Sequence, residues 1–330
     1  MNISSFYRFL EWILTPFIFI FVESGLFRIL IRKLTNKPVI IINSQGGQLG
    51  NKQFLFSRLI AFAIKHDYEI INSDFYPYAY LFESPKQDFF CRYKERSSFI
   101  KGNLFLRKQF SNMMTLIARY IEQKEHPDIK TIRSKPRNQI QYLDQLSFMH
   151  CIQGKDIIFF MGWYFFYKKD MIKHKKEIRE YFTYLPGCQN TVTSLIKKCR
   201  KEYDILIGVH IRQYDMKKDD FNHPSYVYDD GNKTVRVMKN VSNLFKEKKI
   251  VFILCSNKPL NTLLFIEFNI LKSTGFIDED QLILSKCDYL IATRSTYSSW
   301  SSFYGEVPCY LFSDTENDIS LNDFKVVDLT

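Results

Sequence analysis

Pro38-Val39-Ile40-Ile41-Ile42-Asn43, running on through Ser44-Gln45-Gly46-Gly47-Gln48-Leu49-Gly50-Asn51 into Lys52-Gln53-Phe54-Leu55, is the stretch on which the architecture turns. The apolar run is short and unbroken, the pattern of a strand buried on both faces in a parallel sheet. Ser44 to Asn51 reads as a glycine-bearing loop, after which Phe54-Leu55, Leu59-Ile60 and Phe62-Ala63 recur at the spacing of one helix face. Strand, tight loop and helix open an α/β fold.

Outward from this stretch the alternation continues. A strand is expected at Tyr68–Ile71, an aromatic stretch at Phe75–Phe82, a helix near Leu104–Glu122, a polar connector over Glu125–Asn138 and a strand at Ile157–Met161. A second block then reads as helix Thr191–Lys201, strand Asp204–Ile211, a polar loop, helix Thr234–Lys248 and strand Ile250–Leu254. Helix Asp278–Lys286, strand Tyr289–Ala292, a Ser/Thr loop and strand Pro308–Phe312 follow. Strands spaced about thirty residues apart with helices between them describe parallel sheets covered on both faces. With 330 residues there is room for two ordinary domains, and Leu185-Pro186-Gly187 marks the boundary between residues 37–186 and 187–330.

Composition narrows the class. At 46% hydrophobic and 25% charged residues, with no uninterrupted apolar stretch of spanning length, the chain is neither disordered nor a polytopic membrane protein. Seven scattered cysteines without a CxxC pair point to a reducing compartment. The net charge is +11, and ten Lys/Arg against four acids lie between Lys168 and Glu202. Such a run is either a solvated helix face or a surface for an anionic neighbour. No nucleic-acid-binding module accompanies it, so nucleic acid is not an expected partner.

Residues 1–36 stand apart as an amphipathic segment. Its apolar core, Phe17-Ile18-Phe19-Ile20-Phe21-Val22, is interrupted by Pro16 before it and followed by Arg28, Arg32, Lys33 and Lys37. A cleaved signal peptide is a poor reading, because no small-residue cleavage site follows. Two readings stay open: a helix lying in the headgroup layer of an anionic membrane, and a helix packed on the body of the protein. The first implies a cytoplasmic protein held peripherally on the inner membrane face.

Three loops carry the candidate chemistry. Of 12 glycines, Gly46, Gly47 and Gly50 crowd the first strand-to-helix turn. Glycine admits positive φ and close ligand approach, and a helix start offers free N–H groups, so this loop is either an anion cradle or a tight turn. It lacks the ending of a P-loop and does not spell GxGxxG. The second loop, Gly208-Val209-His210-Ile211-Arg212-Gln213-Tyr214-Asp215, ends a strand, where open α/β sheets bind ligands. His210 and Arg212 alternate onto one side of it, and the Arg fork suits a diphosphate. Asp215 is the nearest carboxylate for a general base, or else bonds its own loop backbone. The third loop, Thr293-Arg294-Ser295-Thr296-Tyr297-Ser298, can cap a helix or hold phosphate oxygens. Asp278-Glu279-Asp280 matches a DxD metal pattern but is read as acids opening a helix, so no metal site is expected.

Taken in order, these loops resemble the fucosyltransferase superfamily that includes the bacterial α-1,2-fucosyltransferases (glycosyltransferase family 11) and the protein O-fucosyltransferases. Gly46-Gly47-Gln48-Leu49-Gly50-Asn51-Lys52-Gln53-Phe54 is similar to its GGxLGNQxF signature, His210-Ile211-Arg212-Gln213-Tyr214-Asp215 to its HxRRxD motif, and Ser295-Thr296-Tyr297-Ser298 to its STFS element. Gly162-Trp163 and Ile178-Arg179-Glu180-Tyr181-Phe182 also look like family sequence.

The resemblance implies a GT-B-like fold of two Rossmann-like domains with parallel sheets facing a central cleft. It implies GDP-fucose as donor substrate, a glycan acceptor, inversion at the anomeric carbon, and neither metal nor cofactor. Arg212 would hold the β-phosphate, Ser295 and Thr296 would bond the diphosphate, and His210 would lie beside the nucleotide. Gly47, Gly50 and Asn51 would help place donor and acceptor. Two positions depart from the family pattern: Gln213 replaces the motif's second arginine, and Lys52 replaces the glutamine after Gly50-Asn51. These departures motivate the alternative of a non-catalytic sugar-nucleotide or glycan-binding relative.

Overall fold

In the computed structural model, which describes residues 15–96, 102–134, 141–213, 231–312 and 319–327, the run quoted above is strand β1 (Val39–Asn43), buried at every position. The chain divides between Thr183 and Tyr184 into two units, each with its own sheet.

In the first unit β1 is flanked by two parallel strands. β2 (Glu69–Asn72) lies on one side and β6 (Ile157–Met161) on the other, in register from Val39↔Ile157 to Asn43↔Met161. β3 (Arg92–Tyr93) closes one edge antiparallel, and β4 (Ile129–Arg133) closes the other, giving the order β3-β2-β1-β6-β4. A separate parallel pair joins β5 (Gln141–Tyr142) to β7 (Phe165–Phe166). The polar connector expected over Glu125–Asn138 is therefore corrected, since it contains β4. An edge strand covered on one side buries only part of its residues, here Ile129 and Ile132, so Lys130, Thr131 and Arg133 hide it.

One face of this sheet presents Val39, Ile41, Ile157, Phe159 and Met161 to Met114, Ile117, Ala118 and Ile121 of helix Leu104–Gln123. Helix Leu26–Leu34 adds Phe27 and Ile31 to the same cluster, with Phe27 stacked on Phe159 at 6.1 Å between ring centroids. Arg28 pairs with Asp128 and Asp156, and Arg32 pairs with Asp156, tying that helix to the strand entries. Packing on the body thus describes residues 26–34. On the opposite face Phe160 contacts Phe148 and Phe165, and Phe148 meets Phe62 of helix Leu49–His66. That helix is buried nearly all round, which explains why its apolar periodicity is broad.

The second unit has the order β10-β9-β8-β11-β12-β13. Its strands are β8 (Ile205–Ile211), β9 (Ile250–Ser256), β10 (Ile270–Lys272), β11 (Tyr289–Thr293), β12 (Pro308–Phe312) and β13 (Lys325–Val326). All pair parallel except β13. Ile207, Val209, Ile211 and Ile291 pack on Val237, Met238 and Val241 of helix Asn232–Leu244. On the other face a Cβ at Gly208 would meet Leu284 and Cys287, so glycine lets helix Ile277–Leu284 approach closely. Helix Pro186–Glu202 begins at Pro186, earlier than the expected Thr191, with proline in the first turn, where its missing N–H costs nothing. The Lys168–Glu202 charge run is split among this helix and two helices of the first unit, Lys168–Lys173 and Lys175–Tyr181, so it is no single helix face. All seven cysteines are free.

Both units are therefore α/β with mainly parallel sheets, the GT-B-like class expected. Phe27→Ala is expected to destabilise the first unit by about 3–5 kcal/mol, the usual effect of emptying a fully buried phenylalanine site. A urea midpoint equal to that of the wild type would show that helix Leu26–Leu34 is not part of the core.

Candidate functional site

In each sheet, chain order reverses direction beside the first strand, and open α/β sheets bind their ligands outside the strands' carboxyl ends at such a reversal. In the second unit it lies between β8 and β11, which run in register up to His210↔Ala292. The two loops singled out from sequence, after His210 and after Thr293, therefore leave the sheet side by side.

His210 is 4% exposed, and its Nδ1 has no hydrogen-bond partner among the described residues. Its ring lies 5.0 Å from that of Tyr297, centroid to centroid. Burial, reinforced by the Arg212 charge, pushes the imidazole down to about 3, so the ring is neutral at physiological pH. Arg212 follows immediately, half-buried at the strand's end. The backbone beyond it is clamped: Gln213 N–H donates to Asn257 Oδ1 at 2.8 Å, and Asn257 Nδ2 donates to the Gln213 carbonyl at 2.6 Å. Asn257, just past β9, thus fixes where the chain carrying Arg212 goes. Tyr214 and Asp215 lie outside the described residues.

Ser295 is the cap of helix Thr296–Gly305, its Oγ accepting from Tyr297 N–H at 3.3 Å. Ser298 Oγ donates to the Ser295 carbonyl at 3.2 Å. Ser295 therefore performs the capping role weighed above, while its hydroxyl proton and the N–H at Thr296 sit at the positive end of the helix. Tyr297 is anchored through its hydroxyl to the Ile277 carbonyl at 2.6 Å, which holds its ring against His210. The structure places His210 near the end of β8 and Arg212 just past it, and Ser295 and Thr296 just past the end of the neighbouring β11. Asp278 and Glu279 open helix Ile277–Leu284 as expected, and Asp280 is buried, accepting from Gly275 N–H at 3.0 Å and Thr274 Oγ1 at 3.2 Å. No group of metal-ligating side chains gathers among the described residues.

In the first unit the reversal lies between β1 and β6, and the glycine loop leaves β1 there. The helix begins at Leu49, so Gly50 and Asn51 belong to its first turn rather than to the loop. Gly47 has φ 78°, and a Cβ on it would lie 2.9 Å from Asn51 Cβ, so only glycine both turns the chain and clears Asn51. Lys52 is buried and ion-paired with Asp74, which also accepts from Ser44 Oγ. This pair ties both ends of the glycine loop to the turn after β2, and stripping either partner would leave a buried charge at a cost of about 3–5 kcal/mol. Lys52 is thus a loop-holding residue. Asn257 and Asp74 were not singled out from sequence, and Tyr297 was quoted within the third loop without a role of its own. Asn257 is polar just past a strand and Asp74 sits in a turn, but neither signal separates a ligand site from an ordinary loop.

The sequence matches no family profile and no curated protein. Solved structures do match. A mutant of Arabidopsis thaliana FUT1 in complex with GDP aligns over 88% of this chain and 73% of that chain, with a TM-score of 0.54 and 11% identity. POFUT1 in complex with GDP aligns over 85% of this chain and 100% of that chain, with a TM-score of 0.50 and 11% identity. The fold of this chain is the one seen in these FUT1 and POFUT1 structures.

A buried neutral ring makes a pH signature. The unfolded chain protonates His210 near the ordinary value of about 6.5 and the folded chain only near 3. The stability it contributes is therefore complete above about pH 6.5 and lost as pH falls from there towards 3. His210→Gln is expected to flatten that part of the profile. Urea midpoints measured across the range would contradict the assignment if variant and wild type lost stability in parallel.

Proposed function

We propose that the protein is an inverting, metal-independent glycosyltransferase that moves fucose from GDP-fucose to a hydroxyl of a glycan acceptor. One observation supports this reading above the others: at the sheet reversal of the second unit, two neighbouring strands end on a permanent cation with a neutral buried imidazole and on the amino end of a helix. Both solved relatives above were captured with GDP, which presents the anionic diphosphate such a place would suit.

The chemistry follows from charge. As the acceptor oxygen bonds to the sugar's anomeric carbon from the face opposite the nucleotide, the bond from that carbon to the β-phosphate oxygen breaks. Its electron pair leaves on GDP. Stabilising that developing charge is the main demand, and the Arg212 guanidinium, with the N–H groups opening the helix at the neighbouring strand end, is suited to meet it. A protonated His210 would add a second cation but would have to be buried. A neutral one leaves the positive charge of this strand end on Arg212. Ser295 and Thr296 bond the diphosphate and orient the leaving group. The acceptor hydroxyl's proton passes to a base, for which Asp215 is the assigned candidate, or to solvent.

Arg212→Ala is expected to lower GDP release from GDP-fucose by about a hundredfold or more, with Arg212→Lys recovering part of it, since lysine keeps the charge but loses the fork. Turnover that survives Arg212→Ala unchanged would remove the centre of the proposal. Binding of GDP-fucose without any turnover would favour the non-catalytic alternative. Chelation with EDTA is expected to leave the rate unchanged, and its abolition would contradict the metal-free mechanism.

A further inference from the structure

The amino-terminal segment carries two apolar faces, and the fold uses only one. Residues 15–23 are helical, a turn at Gly25 with φ 78° follows, and helix Leu26–Leu34 returns along the body. Val22, Phe27 and Ile31 go into the core. Phe17 and Ile20, 67% and 60% exposed, point outward, as do Leu26 and Ile29 at 52% and 54%, together with Leu30, whereas Phe19 meets the Tyr120 ring edge-on. Leu26, Ile29, Leu30 and Lys33 share one stripe by their three- and four-residue spacing, and Phe27 and Ile31 share another. Arg28 and Arg32 form a third, spent on Asp128 and Asp156. The helix is thus fastened to the body by one apolar stripe and one charged stripe, and it offers the remaining stripe, apolar with a lysine at its end, to the surroundings.

We infer that this outward face is a docking surface for an anionic lipid bilayer, on which the protein lies peripherally. Charge selects the occupant. The outward stripe holds no acid, ends on Lys33 and belongs to a chain of net charge +11, which repels a second copy of itself and attracts anionic headgroups. The 14 residues preceding the described segment add further apolar side chains, Phe6, Tyr7, Phe9, Leu10, Trp12, Ile13 and Leu14, with Arg8 and Glu11 cancelling in charge. Aromatic and aliphatic side chains mixed with a few basic ones are what partitions into the headgroup boundary. No helix among the described residues is long and apolar enough to cross a membrane. The buried Phe27 and the Arg28 and Arg32 pairs hold the face at a fixed orientation, so the first unit is presented to the bilayer as a rigid body. This inference stands apart from the donor reading: neither set of residues includes the other.

The test is co-sedimentation of the full chain with vesicles of phosphatidylcholine alone or with about one-third phosphatidylglycerol. The wild type is expected to partition about tenfold or more in favour of the anionic vesicles. Leu26→Ser/Ile29→Ser/Leu30→Ser is expected to reduce that partitioning by about tenfold or more while the chain still unfolds cooperatively, because these side chains are about half exposed and lie outside the core. Phe17→Ser/Ile20→Ser, on the other helix, is a second variant with the same expected loss. Lys33→Glu is expected to weaken binding to the anionic vesicles alone. Equal binding by variants and wild type, or equal affinity for neutral and anionic vesicles, would overturn the inference. So would concentration-dependent self-association without lipid that the triple variant abolishes, since the face would then belong to contacts between copies.

Discussion

Arg212 is where it is because β8 cannot move. The strand is buried from Leu206 to Ile211, parallel to β9 on one side and β11 on the other, with helices on both faces. A slip of one residue would turn Ile207, Val209 and Ile211 out of one core and drive His210 into it. Register therefore places His210 on the face beside Tyr297 and delivers Arg212 just past the strand's last residue, Ile211, where Asn257 catches the following peptide. The same register sets the start of helix Thr296–Gly305 beside it, because β11 ends one residue past its pairing with His210. The site needs no long-range coincidence within the second unit; it follows from two adjacent strands ending together.

The electrostatics at that place are uneven in a useful way. A buried imidazole next to a guanidinium stays neutral, so the positive charge resides on the group that never titrates near neutrality. In the first unit the charge is handled differently. Lys52, which departs from the resembled signature, is absorbed by Asp74, and the pair draws Ser44 and the first turn of helix Leu49–His66 together around Gly47. A substitution that looks from sequence like a lost ligand contact is, in the fold, a brace for the glycine turn.

Much of this was legible from the residues, and the omissions have physical causes. β1 and β6 are buried on both faces, so their unbroken apolar runs announce them. β4 and β10 lie at sheet edges, bury fewer residues and carry polar side chains, so their pattern dissolves into the neighbouring loops. The His210, Arg212 and Ser295 loops stood out because chemistry-bearing types cluster at strand ends. Asn257 and Asp74 did not, because their roles come from partners far away in the chain, and local pattern holds no record of such a meeting. The amino-terminal segment shows the limit differently: its two readings, packed on the body and turned toward lipid, rest on different stripes of the same short helix.

The account is tested most directly by a crystal structure of the protein soaked with GDP. It predicts the β-phosphate oxygens within about 3 Å of the Arg212 guanidinium and of the N–H groups opening helix Thr296–Gly305, with the nucleotide beside His210. A diphosphate bound elsewhere, with Arg212 directed away from it, would contradict the account.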